Sequence, residues 1–200
     1  MKNKSIKMKQ FLILLVLGLS ITGCKNKLQV IDEFGDNKYN LIDQNSKQVV
    51  FPDFVKGKVV IMNYIFTNCP DICPINTNNM RLIQERLKKE KITNVELISL
   101  SFDPKNDTPD ILTKFAMVRN LDLNNWEFLT GNKVVTDAII NNAGVIAVIS
   151  DSTIFRDGRK IYYYIHTDRI SLIDTEGRIR KNYLGSKINI DEIVNDLKTL

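Results

Sequence analysis

Residues 59–66 read Val59-Val60-Ile61-Met62-Asn63-Tyr64-Ile65-Phe66, apolar at nearly every position and rich in β-branched and aromatic side chains. Eight residues are few for a helix, and a run without polar alternation predicts a strand buried on both faces. The next eight, Thr67-Asn68-Cys69-Pro70-Asp71-Ile72-Cys73-Pro74, hold two cysteines four positions apart, each followed by proline. Pro74 suits the first turn of a helix, where its missing N–H costs nothing. The helix that follows, about 75–91, sets Met80, Ile83 and Leu87 on one face. Residues 95–102 form a second β-rich apolar run. Strand, helix and strand at this spacing imply a parallel pair with a right-handed crossover.

The same reading extends to both sides. Residues 39–42 and 49–51 pattern as a hairpin around the polar turn 43–47. Thr108 and Pro109 fit the cap and first position of a helix to about Asn120. Residues 126–130 form a short strand. Asn132 opens a helix to Asn142 that Gly144 ends. Between 145 and 165 the pattern is weak, apart from a turn at Asp157-Gly158 and a strand over 161–165. Residues 170–174 and 178–184 form a hairpin around Thr175-Glu176-Gly177, and 190–200 is an amphipathic helix with Ile190, Ile193, Val194 and Leu197 together. This order resembles the thioredoxin fold with an added N-terminal hairpin and an inserted helix: an α/β chain with a central mixed sheet flanked by helices. In such a sheet 170–174 runs antiparallel to 59–66, and His166 arrives near the end of the first strand.

The N-terminus changes the reading of charge. Residues 1–23 carry Lys2, Lys4, Lys7 and Lys9, no acid, and an apolar run over 11–21. That run is too short for a membrane span, and basic start, short apolar core and small residues make a secretory signal. Ile21-Thr22-Gly23-Cys24 resembles the lipobox of bacterial lipoproteins, in which Cys24 takes the lipid and becomes the new N-terminus. Without residues 1–23 the formal charge of +5 falls to +1, so no basic surface argues for nucleic acid. Residues 24–33 then read as a membrane tether and 34–200 as one domain, on the periplasmic or cell-surface side of a bacterial membrane.

With Cys24 assigned to lipid, Cys69 and Cys73 are the remaining cysteines and His166 the one histidine. A four-ligand zinc site of Cys and His cannot be assembled from them. An exported pair so close can also close into a disulfide, although so small a loop constrains the unfolded chain little. Placing Cys73 at a helix start predicts that Cys73 is the thiol the dipole favours as thiolate.

Three features together carry a family resemblance: the cysteine motif 67–74, the turn Ser101-Phe102-Asp103-Pro104-Lys105-Asn106-Asp107-Thr108-Pro109, and a histidine before Ser171-Leu172-Ile173-Asp174-Thr175-Glu176-Gly177-Arg178. They resemble the Sco/SenC copper chaperones, over about 34–200. The resemblance implies copper ligands at Cys69, Cys73 and His166, and delivery of copper to the dinuclear site of cytochrome c oxidase subunit II. The family commonly has an acid directly before this histidine; Ile165 stands there. Two thiolates and an imidazole suit copper, soft sulfur favouring copper(I). Asp71 either tunes the thiols or caps the loop, Asp103 and Asp107 hold their turn, and Tyr162-Tyr163-Tyr164 is a docking patch or a packed aromatic strand. The alternatives are a thiol–disulfide reductase with Cys69 and Cys73 as redox pair, and a copper or redox sensor. Against the reductase stand the three-residue spacing and the lack of any proline after Pro109.

Overall fold

The computed structural model describes residues 28–34, 36–158 and 160–200. The expected signal 1–23 and the lipid site Cys24 lie outside them. Ten strands and four helices follow in order: β1 Asp32–Glu33, β2 Tyr39–Asp43, β3 Gln48–Phe51, β4 Val59–Ile65, α1 Ile72–Lys89, β5 Val95–Ser101, α2 Pro109–Val118, β6 Trp126–Thr130, α3 Lys133–Asn142, β7 Ala147–Ile154, β8 Lys160–His166, β9 Ile170–Ile173, β10 Arg178–Tyr183 and α4 Ile190–Leu197. Eight strands form one mixed sheet in the order β1-β10-β9-β4-β5-β6-β2-β3, while among the described residues β7 and β8 pair only with each other.

The apolar run sits where its composition demands. All seven residues of β4 are buried, and β4 pairs parallel with β5 on one side and antiparallel with β9 on the other. β5 is buried along its whole length too, since a central strand covered on both faces has no solvent side to carry polar alternation. Met80, Ile83 and Leu87 of α1 reach the core, as their spacing requires. The first hairpin turns where expected: Asp43 Oδ1 accepts from the backbone N–H of Asn45 and of Lys47, each at 2.8 Å. Asn132 caps α3 by accepting from Val135 N–H at 2.9 Å.

Three differences bear on the site. α1 begins at Ile72 and not at 75, so Cys73 lies inside its first turn. Pro74 takes the third helical position, still among the first N–H groups that lack an intrahelical partner, and so marks the turn without marking its first residue. The weakly patterned segment 145–165 contains β7 as well as β8, with a register irregularity between Ile149 and Asp151 that breaks the two-residue period. The stretch expected as a tether is fastened to the sheet from Leu28 onward. β1 pairs with β10, Ile31 N–H donates to Ile179 O at 2.8 Å, and the Arg180 guanidinium donates to the Leu28 carbonyl.

Because Asn63 of β4 stands opposite Ile170 of β9, the end of β4 and the start of β9 share one edge of the sheet. The cysteine loop leaves from the first and His166 precedes the second, so the topology alone brings them together.

Candidate metal centre

β4 delivers the chain into the loop 66–71, and a buried carboxylate holds that loop. Asp107 is fully buried. It accepts from Thr67 N–H at 3.1 and 3.3 Å, from the Thr67 hydroxyl at 2.5 Å and from the Ser101 hydroxyl at 2.5 Å. Burial pushes its pKa up to about 6 against the pull of those hydrogen bonds. The turn 101–109 therefore does more than hold itself: Asp107 braces the cysteine loop two residues before Cys69. Sequence reasoning assigned Asp107 to its own turn alone, because nothing local distinguishes a carboxylate that turns inward from one that caps.

Cys69 is half-buried and Cys73 buried, and both are free thiols. Cys73 N–H donates to Cys69 Sγ at 3.3 Å. Contrary to the sequence expectation, Cys69 and not Cys73 is the favoured thiolate. Cys69 is lowered to about 4, first by the hydrogen bond from the Cys73 thiol, then by His166 and by the backbone N–H groups of Cys73 and Asp71, against the opposing effect of burial. Cys73 is raised, by donating its proton to Cys69 and by burial. With Cys73 inside α1, the free N–H groups of the helix start point at the sulfur before the helix and not at the one within it. The pair holds one proton, on Cys73.

His166 ends β8 opposite Ala147. Its Nε2 stands 3.6 Å from Cys73 Sγ and its Nδ1 lies 3.2 Å from the Thr167 carbonyl. A carbonyl only accepts, so in the neutral ring Nδ1 carries the proton and Nε2 presents its lone pair to the sulfurs. Burial works against the imidazolium, but hydrogen bonding to Cys69 and to the Thr167 carbonyl outweighs it and raises the pKa of His166. The ring is walled by Phe66 (centroids 6.0 Å, edge-on) and Phe102 (5.2 Å). Ile165, which stands where the Sco/SenC proteins commonly have an acid, is 65% exposed.

The ligand atoms of Cys69, Cys73 and His166 all lie within 4.8 Å of one another, the one such Cys/His/Asp/Glu cluster among the described residues. About ninety residues separate the second cysteine from the histidine, and the fold closes that gap. A cleft of about 340 Å³ opens on Cys69 and His166, bounded by Pro70, Asp71, Tyr163 and Ile165. Two sulfurs and one imidazole nitrogen at this spacing fit a soft, low-coordinate metal ion and leave one side open.

The remaining expected residues sort clearly. The Asp71 side chain is exposed and makes no capping bond; its backbone N–H is what reaches Cys69. Asp103 accepts from Asn106 at 2.7 Å and from Tyr164 OH at 3.4 Å, holding its turn and the hairpin. Strand alternation splits the tyrosines. Tyr164 packs on Phe66 and Phe102 with centroids 5.0 and 5.3 Å away, whereas Tyr163 is exposed, and both line the cleft. Arg169 immediately precedes β9, where a thioredoxin-like oxidoreductase carries proline.

Comparison with known proteins agrees with this geometry. The family model described as SCO1/SenC matches residues 31–200. The SCO1 protein homolog of Bacillus subtilis is 35% identical over 158 residues, covering 78% of each chain. Among solved structures, a SCO1/SenC family lipoprotein from Bacillus anthracis superposes with a TM-score of 0.68 at 31% identity, covering 81% of this chain and 92% of that one. ScoI of Bradyrhizobium japonicum with copper bound gives 0.66 at 28% identity, covering 81% and 96%. No helix among the described residues is long and apolar enough to cross a membrane. On the match of the family model across nearly the whole described chain, this protein belongs to the SCO1/SenC family.

Proposed function

We propose that the protein is a copper carrier, anchored by lipid on Cys24 to the extracytoplasmic face of a bacterial membrane, that loads the dinuclear copper site of cytochrome c oxidase subunit II. The observation that carries the reading is the convergence of Cys69 Sγ, Cys73 Sγ and His166 Nε2 within 4.8 Å. The Bradyrhizobium ScoI structure holds copper, the Bacillus anthracis relative is a lipoprotein, and the Sco family is one of cytochrome c oxidase assembly proteins.

Copper here is cargo. Cys69 meets the ion as a thiolate already, Cys73 releases its proton to solvent as its sulfur binds, and in the neutral ring the Thr167 carbonyl holds the His166 proton on Nδ1 and leaves Nε2 free to bind. Three ligands leave the cleft side open to a thiolate or imidazole of the acceptor, so the ion passes by ligand exchange without dissociating into water. Because binding needs both thiolates and a neutral imidazole, affinity falls with falling pH. Because it needs the dithiol, a Cys69–Cys73 disulfide abolishes it.

Copper(I) titration of the reduced protein against a chelator tests the reading. We expect one ion per chain, a large loss of affinity in Cys73→Ser and His166→Ala, and none bound by oxidised protein. Tight binding that survives both substitutions would falsify it. A second reading, a thiol–disulfide reductase, draws on the Cys69 thiolate, which has the reactivity of a nucleophile and opens on a cleft. Turnover of a model disulfide that is indifferent to His166→Ala, with negligible copper affinity, would favour it.

A further inference from the structure

The turn after His166 is held at three points. Thr167 exchanges hydrogen bonds with Ile146: its N–H donates to the Ile146 carbonyl, and its hydroxyl accepts from Ile146 N–H, both at 2.9 Å. Arg169 donates to the Ala143 carbonyl. Asp168 reaches a different part of the fold. Its carboxylate accepts Ser186 N–H at 3.0 and 3.2 Å and the Ser186 hydroxyl at 2.6 Å. The preceding residue, Gly185, accepts from Asn79 Nδ2 of α1 at 2.7 Å, and a Cβ at Gly185 would stand 2.7–2.8 Å from the Asn76 side chain. The loop 184–186 therefore lies against the helix that carries Cys73, and Asp168 hooks the His166 turn onto that loop.

This matters because among the described residues β8 pairs only with β7. The bonds of Thr167 run to the entry of the same ribbon, so they move with it, and Arg169 ties the turn to the end of α3. Of the three, Asp168 alone relates the ribbon end to the cysteine helix. A carboxylate accepting a hydroxyl and an N–H together makes the stronger class of hydrogen bond.

We propose that Asp168 and Ser186 form a clasp that sets His166 over the two sulfurs, making both of them positioning residues for metal capture. The proposal rests on the copper-carrier reading for its purpose, but the clasp itself acts on the metal-free protein. With the clasp closed, Nε2 stands 3.6 Å from Cys73 Sγ; with it open, the ring leaves its Phe66 and Phe102 walls and the third ligand is no longer pre-placed.

Two measurements on the full chain, prepared without a polyhistidine tag, decide it. The protein has one histidine, so its ring protons give a single set of NMR signals. In reduced, metal-free wild type these should show Overhauser contacts to the Phe66 and Phe102 rings, weakened or lost in Asp168→Ala. In the copper(I) competition, Asp168→Ala should lower affinity about tenfold, the lower end of what loss of a ligand-orienting partner costs. In a His166→Ala background it should change nothing further, since the clasp acts through that ring. An equal loss in both backgrounds, no loss in wild type, or unchanged ring contacts overturns the proposal. Should Asp168→Ala fail to fold, Ser186→Ala removes only the hydroxyl bond and must move both readouts in the same direction, by less. A wild type that binds no copper(I) sinks the carrier reading, while the ring contacts still test the clasp.

Discussion

Replacing Asp107 by asparagine should flatten part of the dependence of stability on pH. Asp107 is fully buried, and burial outweighs its hydrogen bonds from Ser101 and Thr67, raising it from 3.8 to about 6 in the folded protein. The folded state thus keeps this proton over a range in which the unfolded chain has lost it. Stability from that difference is fully present below pH 3.8 and is lost as pH rises through 6. A difference of about 2 pK units at 1.36 kcal/mol each makes the loss about 3 kcal/mol by pH 7. In Asp107→Asn a side-chain amide would fill the same space without titrating. Urea unfolding at pH 4, 5, 6 and 7, under reductant so that the cysteines stay free, yields two curves. Their offset reports the hydrogen bonds lost at Thr67 and Ser101, and their relative slope reports the buried charge. Wild type should lose about 2.5 kcal/mol more than Asp107→Asn between pH 4 and 7, part of the full difference being gone already at pH 4. Parallel curves would show that Asp107 ionises in the fold as freely as in the unfolded chain, and the account of a dry brace beneath the cysteine loop would be wrong.

With Cys69 lowered to about 4 and half-buried, and Cys73 raised and buried, iodoacetamide at pH 6 should label Cys69 first. Peptide mapping checks this, and equal labelling of the two thiols contradicts the assignment of the proton to Cys73. Gly185→Ala should lower stability by about 1–3 kcal/mol in urea melts, because its Cβ meets the buried Asn76 amide at 2.7–2.8 Å. That amide has no hydrogen-bond partner among the described residues, so truncation in Asn76→Ala/Gly185→Ala should recover much of the loss; strictly additive losses would place the clash elsewhere.

How much of this was legible follows from what kind of interaction each element depends on. The run 59–66 declared β4 because burial on both faces is written into side-chain chemistry, and the place of His166 followed from strand direction once β9 was set antiparallel to β4. β1 left no trace, since Asp32 and Glu33 are both exposed and their pairing with β10 is backbone pairing, to which side-chain pattern is blind. β7 was hidden because its middle, Ser150 to Thr153, is polar and largely exposed, and its irregular register breaks the period. The thiolate was placed on the wrong cysteine because its position depends on which residue starts α1. A three-residue shift in that start, from 75 to Ile72, moves Cys73 from the mouth of the helix into its first turn.

The departure at Ile165 shows where the sequence pattern and the site part company. Along β8 the side chains alternate, so with His166 turned to the sulfurs its neighbour Ile165 projects to the other side of the strand, 65% exposed at the rim of the cleft. The ring's second nitrogen is met by the main-chain carbonyl of Thr167 instead. That contact survives any side chain at 165, so the acid is dispensable for the tautomer that frees Nε2. What the backbone cannot supply is the position of the whole turn relative to α1. In this chain that task falls to a side chain two residues beyond the ligand, Asp168, and to a serine on another loop.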